Sequence, residues 1–227
     1  MTKLGGFLIT FEGNDGSGKS SIIERTNSWL MGEGLSTLCL REPGGTQIGE
    51  QIRQVIHYVR NIDMSRMTEF LLYSASRAQL VEEKIYSALE KGLIVMTDRF
   101  VDSSIAYQGY GREVPLDFIS YVNSAVTQGI VPDLTLLLDI DPDIGIERRM
   151  NSRGEINRMD LQNQAYYRKV HQGYIELAKK DTTGRWREVD TNKPLEDVWD
   201  EVKNQVEAAL LASGYLERRG KSSERIV

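Results

Sequence analysis

Phe11-Glu12-Gly13-Asn14-Asp15-Gly16-Ser17-Gly18-Lys19-Ser20 follows an apolar run, Phe7 to Thr10, and opens a stretch with helical patterning. It fits the pattern G-x-x-x-x-G-K-[ST], whose glycines let backbone N–H groups close around a polyphosphate while the lysine and hydroxyl serve its charge and its Mg²⁺. A strand before and a helix after are the context in which this pattern carries meaning. The chain is therefore expected to hold a nucleoside triphosphate at Gly13, Asn14, Asp15, Gly16, Ser17, Gly18, Lys19, Ser20 and Ser21. Lys19 should lie along the β- and γ-phosphates, and Ser20 should offer Mg²⁺ a hard oxygen donor.

Outward from this segment, apolar runs recur at Phe7–Phe11, Leu35–Leu40, Leu93–Thr97, Leu134–Ile140 and Trp186–Val189. They are too continuous for half-solvated strands and read as buried parallel ones. Helical patterns alternate with them at Lys19–Met31, Ile48–Tyr58, Arg66–Lys91, Leu116–Thr127, Pro142–Met150, Leu161–Lys180 and Pro194–Leu211. The succession predicts an α/β fold of the P-loop three-layer type: a five-stranded parallel sheet with helices on both faces and a short flexible lid. One domain is expected over residues 1–212, with the lid near 148–160. Residues 213–227 form a charged tail, expected to fray from Glu217 onward.

With 227 residues and 40% hydrophobic content the chain can enclose one substantial core. A net charge of -5 gives no field to attract a polyanion, so polymeric nucleic acid is an unfavourable partner. Cys39 is the single cysteine, expected as a small buried thiol. No disulfide can form within the chain, which suits a reducing cytoplasm. The first residues lack signal-peptide character and no run approaches a membrane span, so a soluble cytoplasmic protein is expected.

In a parallel sheet the strand ends lie along one edge, where ligands bind. Arg41–Thr46, Asp98–Arg99, Asp139, Asp141 and Asp190 should gather there with the phosphate loop. Asp141, before Pro142, reads better as a helix cap. The loop's variable positions hold no cation, so the charge on a transferring phosphoryl group must be met elsewhere. Arg148, Arg149, Arg153 and Arg158 surround a polar break at Asn151–Gly154 and read as a flap that closes over phosphates, or as a solvated basic face. Asp15 would repel phosphate unless it faces a hydroxyl, such as that of a sugar. Arg99 suits a second phosphate, which implies two nucleotides. On the long helix, Met67, Leu71, Ala78, Val81, Ile85 and Leu89 make an apolar stripe. Tyr73 and Arg77 share a neighbouring face, able to stack on a base and donate to its carbonyl. His57 and His171 lack metal-ligand spacing and read as solvated helix residues.

The sequence resembles the thymidylate kinase family from about Phe7 to Val206, through the loop above, R-E-P-G-G-T at Arg41–Thr46, S-R-A-Q at Ser76–Gln79 and D-R-F-x-x-S-S-x-A-Y-Q-G at Asp98–Gly109. The resemblance implies transfer of the γ-phosphoryl group of ATP to dTMP, a step of dTTP synthesis for DNA replication. It implies that Asp15 receives the 3′-hydroxyl of dTMP, that Arg53 and Arg99 hold its phosphate, and that Tyr73, a phenylalanine in most members, stacks on thymine. Arg77 would donate to the base carbonyl, Ser103, Ser104 and Gln108 would help orient the nucleotide, and Tyr107 would lie beneath the sugar. Lys19, Arg99 and Arg153 are the implied catalytic cations, with Arg149 an alternative to Arg153 because the lid spacing is about one residue long. Arg148 would lie against adenine or its phosphates, and Asp98 would contact Mg²⁺ directly or through water. The family also implies a homodimer. Kinases of other nucleosides, nucleotides or small hydroxyl compounds share the phosphate loop. A nucleotide switch would need N-K-x-D, and Asn192-Lys193-Pro194-Leu195 fails it at the last position. A nonenzymatic binding module would leave Arg99, Arg153 and Asp15 without a collective purpose.

Overall fold

The computed structural model describes residues 4–152 and 154–217. Five parallel strands, β1 (Phe7–Glu12), β2 (Thr37–Arg41), β3 (Ile94–Asp98), β4 (Leu134–Asp139) and β5 (Trp186–Asp190), stand in the order β2-β3-β1-β4-β5. β1 lies at the centre, with Phe7 opposite Ile94 on one side and Ile9 opposite Leu134 on the other.

Strand alternation sends successive side chains of β1 to opposite layers. Phe7, Ile9 and Phe11 pack beneath α1 (Lys19–Gly32) and α9 (Leu195–Ala212), through Ile22, Ile23 and Leu30 and through Val198, Val202, Val206 and Leu210. Burying each such side chain stabilises the fold by about 1.5–3 kcal/mol. Leu8 faces the opposite layer, which holds Leu80, Val81, Ile85 and Phe100. Thr10 and Glu12 follow Leu8 in that alternation; Thr10 meets Thr135 side chain to side chain at 2.9 Å. The carboxylate of Glu12 is thereby committed to the interior of the same layer, a placement with consequences for the site.

The expected fold is thus present, with five local departures. The edge strands are not fully buried, and Cys39 on β2 is exposed, because an edge strand has one neighbour rather than two. The long helical run divides into α3 (Arg66–Leu80), a π-helical turn (Val81–Ile85) and α4 (Tyr86–Glu90). Its buried face carries Phe70, Ser74, Arg77 and Leu80, whereas Met67 and Leu71 are exposed. The expected stripe therefore misses the true inward face at the N-terminal end, where the inward side chains include polar ones. A third departure is α5 (Val101–Ser104) with a π-helical segment (Ile105–Gly111) after β3, where no helix was expected. The last two are an onset and an end: α8 (Gln164–Lys180) begins three residues later than expected, capped by Asn163 Oδ1 accepting from Tyr166 N, and Tyr215, assigned to the tail, is buried against Phe7 with ring centroids 6.0 Å apart. The remaining helices are α2 (Gln47–His57), α6 (Leu116–Val126) and α7 (Pro142–Met150). Asp141 caps α7 as expected, accepting from Asp143 N at 2.8 Å ahead of Pro142.

Among the described residues no helix is long and apolar enough to cross a membrane.

Candidate active site

The phosphate loop leaves β1 and enters α1 through two backbone positions open only to glycine. Gly13 and Gly16 have φ of 129° and 81°, and a Cβ at either would strike a carbonyl oxygen, of Leu138 or of Gly145. Lys19 is buried inside this loop and donates to Gly13 O at 3.1 Å and Asn14 O at 2.9 Å. Burial pushes its ammonium down to about 8, and the Arg99 charge adds to that effect. Such a cation gains from a phosphate, which would offset both costs. Ser20 Oγ donates to Asp98 Oδ2 at 3.3 Å, so two hard oxygen donors stand together at the mouth of the loop. Their chemistry fits Mg²⁺.

A cavity of about 1120 Å³ opens from this loop. Asp15, Gly16, Gly18, Lys19, Ser20 and Ser21 line it on one side. Arg53, Tyr73, Arg77, Arg99, Ser103, Ser104, Tyr107 and Gln108 line it on the other, and Arg148 and Arg149 close it from the lid. Gly13, Asn14 and Ser17 sit beneath the lining, with Asn14 and Ser17 buried. Arg153 lies outside the described residues. Of the strand-end carboxylates, Asp139 and Asp190 do not reach the cavity: Asp139 bonds His171 Nε2 at 2.7 Å, and Asp190 accepts from Asn192 N at 2.9 Å. His171 is therefore a tethered residue. His57, half-buried at the cavity wall, is pushed down to about 4 by burial and then by Arg53, so it is not a solvated histidine either.

Arg99 is held by both its backbone and its side chain. It takes a positive φ of 70°, and its backbone N–H reaches Phe11 O at 3.0 Å. Its guanidinium donates to Ser103 Oγ at 3.2 Å, Tyr174 OH and Tyr107 OH at 3.0 Å each, and Asp15 Oδ1 at 2.7 Å. Burial pushes the Asp15 carboxyl up, but Arg99 and Lys19 outweigh it and hold it below the usual range. Behind Arg99 sits Glu12, wholly buried, accepting from Phe100 N at 2.8 Å, Ser103 Oγ at 2.5 Å and Tyr174 OH at 3.0 Å. Burial, and then the Asp102 charge, push Glu12 up to about 7. Sequence reading found Arg99 and Ser103 but not Tyr174, which arrives from α8 with no local signal.

Arg77 differs from expectation. It is 1% exposed, and its guanidinium makes four hydrogen bonds, Nε to Glu42 Oε2 at 2.8 Å, Nη1 to Ser104 Oγ and Asn123 Oδ1, and Nη2 to Phe100 O, with Nη2 also 2.7 Å from Glu42 Oε2 in an ion pair. To donate to a base it must release or share one of these.

The lid is laced rather than loose. Arg149 grips Asp160 through Nε and Nη2 at 2.9 and 2.7 Å and also reaches Ser152 and Glu155 O. Arg158, 2% exposed, donates to Ile56 O at 2.8 Å and pairs with Glu69 at 2.7 Å, tying the end of the lid to α2 and α3. Arg148 donates to Thr191 O at 3.1 Å.

Comparison with known proteins agrees with this geometry. The family model described as thymidylate kinase matches residues 11–202. A thymidylate kinase of Clostridium novyi (strain NT) is 42% identical over 199 residues, which span 87% of this chain and 97% of the relative. A phosphate loop facing a fixed arginine across one cavity, and a match of this length, lead to one conclusion: the chain belongs to the thymidylate kinase family.

Proposed function

We propose a division of labour among the cavity residues for the family's reaction. The chain phosphorylates dTMP to dTDP with ATP as donor. ATP enters by the loop, its phosphates meeting the backbone N–H groups around Gly16 and Gly18 with Lys19 along the β- and γ-phosphates. Ser20 and Asp98 would hold Mg²⁺, which would neutralise charge on the phosphates. The dTMP phosphate is received by Arg53 and Arg99, its 3′-hydroxyl by Asp15, and its base by Tyr73, with Ser104 and Gln108 at the edge. Ser103 supports the phosphate side, and Tyr107 lies beneath the sugar. Arg153 supplies the transition-state cation. The partners of Arg149 and Arg158 favour that choice, since both guanidinium groups already hold the lid together.

Most of the acceleration comes from orientation and charge rather than covalent work by the protein. The Arg99 guanidinium carries this reading: four hydrogen bonds and a left-handed backbone aim it across the cavity from Lys19. The test is ADP release with dTMP, dUMP, dCMP, dGMP or a hydroxy-acid acceptor. Turnover should require dTMP and be weaker with every other acceptor; ATP consumption indifferent to the acceptor would overturn the assignment. We also propose a homodimer. Exposed apolar side chains on the packed pair α2 and α3, among them Ile48, Val55, Met67 and Leu71, offer an apolar face to an isologous partner.

A further inference from the structure

Glu69, Tyr73 and Arg77 are spaced four apart on α3 and so follow one ridge of that helix. Tyr73 and Arg77 line the cavity, whereas Glu69 is 1% exposed and lies behind it. Its Oε1 accepts from Gln108 Nε2 at 3.0 Å and from Arg112 Nε at 3.2 Å. Its Oε2 accepts from Arg112 Nη2 at 3.1 Å and lies 2.7 Å from Arg158 Nη2. A buried carboxylate thus serves two guanidinium groups and one carboxamide, and the carboxamide belongs to a cavity-lining residue.

A primary amide presents a donor on one side and an acceptor on the other, and a rotation of 180° exchanges them. We propose that Glu69 is the positioning residue that fixes this choice: its carboxylate draws the Gln108 NH₂ group toward itself, so the amide oxygen is the face offered to the base. The opposite rotamer would set Oε1 against a carboxylate oxygen, two acceptors with no proton between them. Burial pushes the Glu69 carboxyl up, but Arg112 and the Gln108 hydrogen bond are among the contacts that hold it below the usual range, so it stays an acceptor.

The proposal rests on the reading that Gln108 meets the base. An acceptor there suits a pyrimidine whose ring nitrogen carries a proton, as in thymine. A 4-amino pyrimidine presents a lone pair at that nitrogen, and two buried acceptors would face each other. Glu69 would then take part in base choice without touching the nucleotide.

The test compares kcat/KM for dTMP and dCMP in wild type, Glu69→Gln, Gln108→Leu and Arg112→Met. Glu69→Gln accepts either amide rotamer and should narrow the dTMP:dCMP preference roughly tenfold or more. Arg112→Met removes a partner of Glu69 but keeps the carboxylate; it should lower Tm and leave the preference unchanged. If Gln108→Leu leaves KM for dTMP unaltered, the reading of Gln108 itself fails. If Gln108→Leu raises KM but the preference survives in Glu69→Gln, the proposal alone is overturned. Should Glu69→Gln not fold, the side-chain amide of Gln108 in ¹⁵N-glutamine-labelled wild type decides the matter, its signals assigned by their loss in Gln108→Leu. Exchange with solvent deuterium should be slower than for exposed Gln51 and Gln54; equal rates would overturn the proposal.

Discussion

Replacing Arg77 with methionine should be a stability lesion before it is a specificity lesion. Arg77 and Glu42 are 1% and 5% exposed, and Glu42 Oε1 has no hydrogen-bond partner even with the arginine in place. Removing one member of such a pair costs about 3–5 kcal/mol, because the remaining charge stays buried. Ser104 Oγ, Asn123 Oδ1 and Phe100 O each lose a donor as well. A loss of about 4 kcal/mol corresponds to a fall in Tm of roughly 8–16 °C for a chain of this size. Glu42 can relieve the strain by taking a proton, since burial already holds its carboxyl above the ordinary range despite Arg77. The deficit should therefore widen as pH rises. Adding Glu42→Gln removes the stranded charge and should recover about 2 kcal/mol, a coupling measurable by a double-mutant cycle in urea. A single variant within about 1 kcal/mol of wild type, or a double variant with simply additive losses, would refute this account of Arg77.

Lys19→Ala should lower kcat by about 10²–10³-fold while the melting temperature changes little, since the lost donors served loop carbonyls; a normal kcat in a stopped-time ADP assay would refute its role. Glu12→Gln should gain stability over wild type as pH rises. The raised carboxyl near 7 favours the folded protein below the unfolded value of 4.5, and that contribution is lost through about pH 7. The gap should approach about 3 kcal/mol at pH 8, and parallel stability curves from pH 5 to 8 would contradict it. Asp160→Asn should loosen the Arg149 clasp and raise KM for ATP, with KM for dTMP less affected; unchanged ATP saturation would argue that the lid is held by other contacts. Chelation of Mg²⁺ should abolish turnover, and Ser20→Ala should raise the Mg²⁺ concentration needed to restore it.

The amino-acid sequence by itself determined the order of the strands, most of the helices between them, the phosphate loop, and several of the side chains that meet at the strand ends. Those properties are local: glycine spacing, continuous apolar runs and capping residues act over a few positions, as Asp141 does at α7. Even there, burial was legible only where a strand had two neighbours; Cys39 escaped because edge placement is a property of the sheet. The tertiary structure alone decided what the charged residues do. Arg77, Arg149 and Arg158 read alike in sequence as cations for a nucleotide, yet each is occupied by a carboxylate that no local pattern marks as its partner: Glu42, Asp160 or Glu69. Partners beyond the reach of a few helical turns leave no periodicity to detect, and whether a guanidinium meets a ligand or a buried carboxylate depends on which segments the fold brings within hydrogen-bond distance.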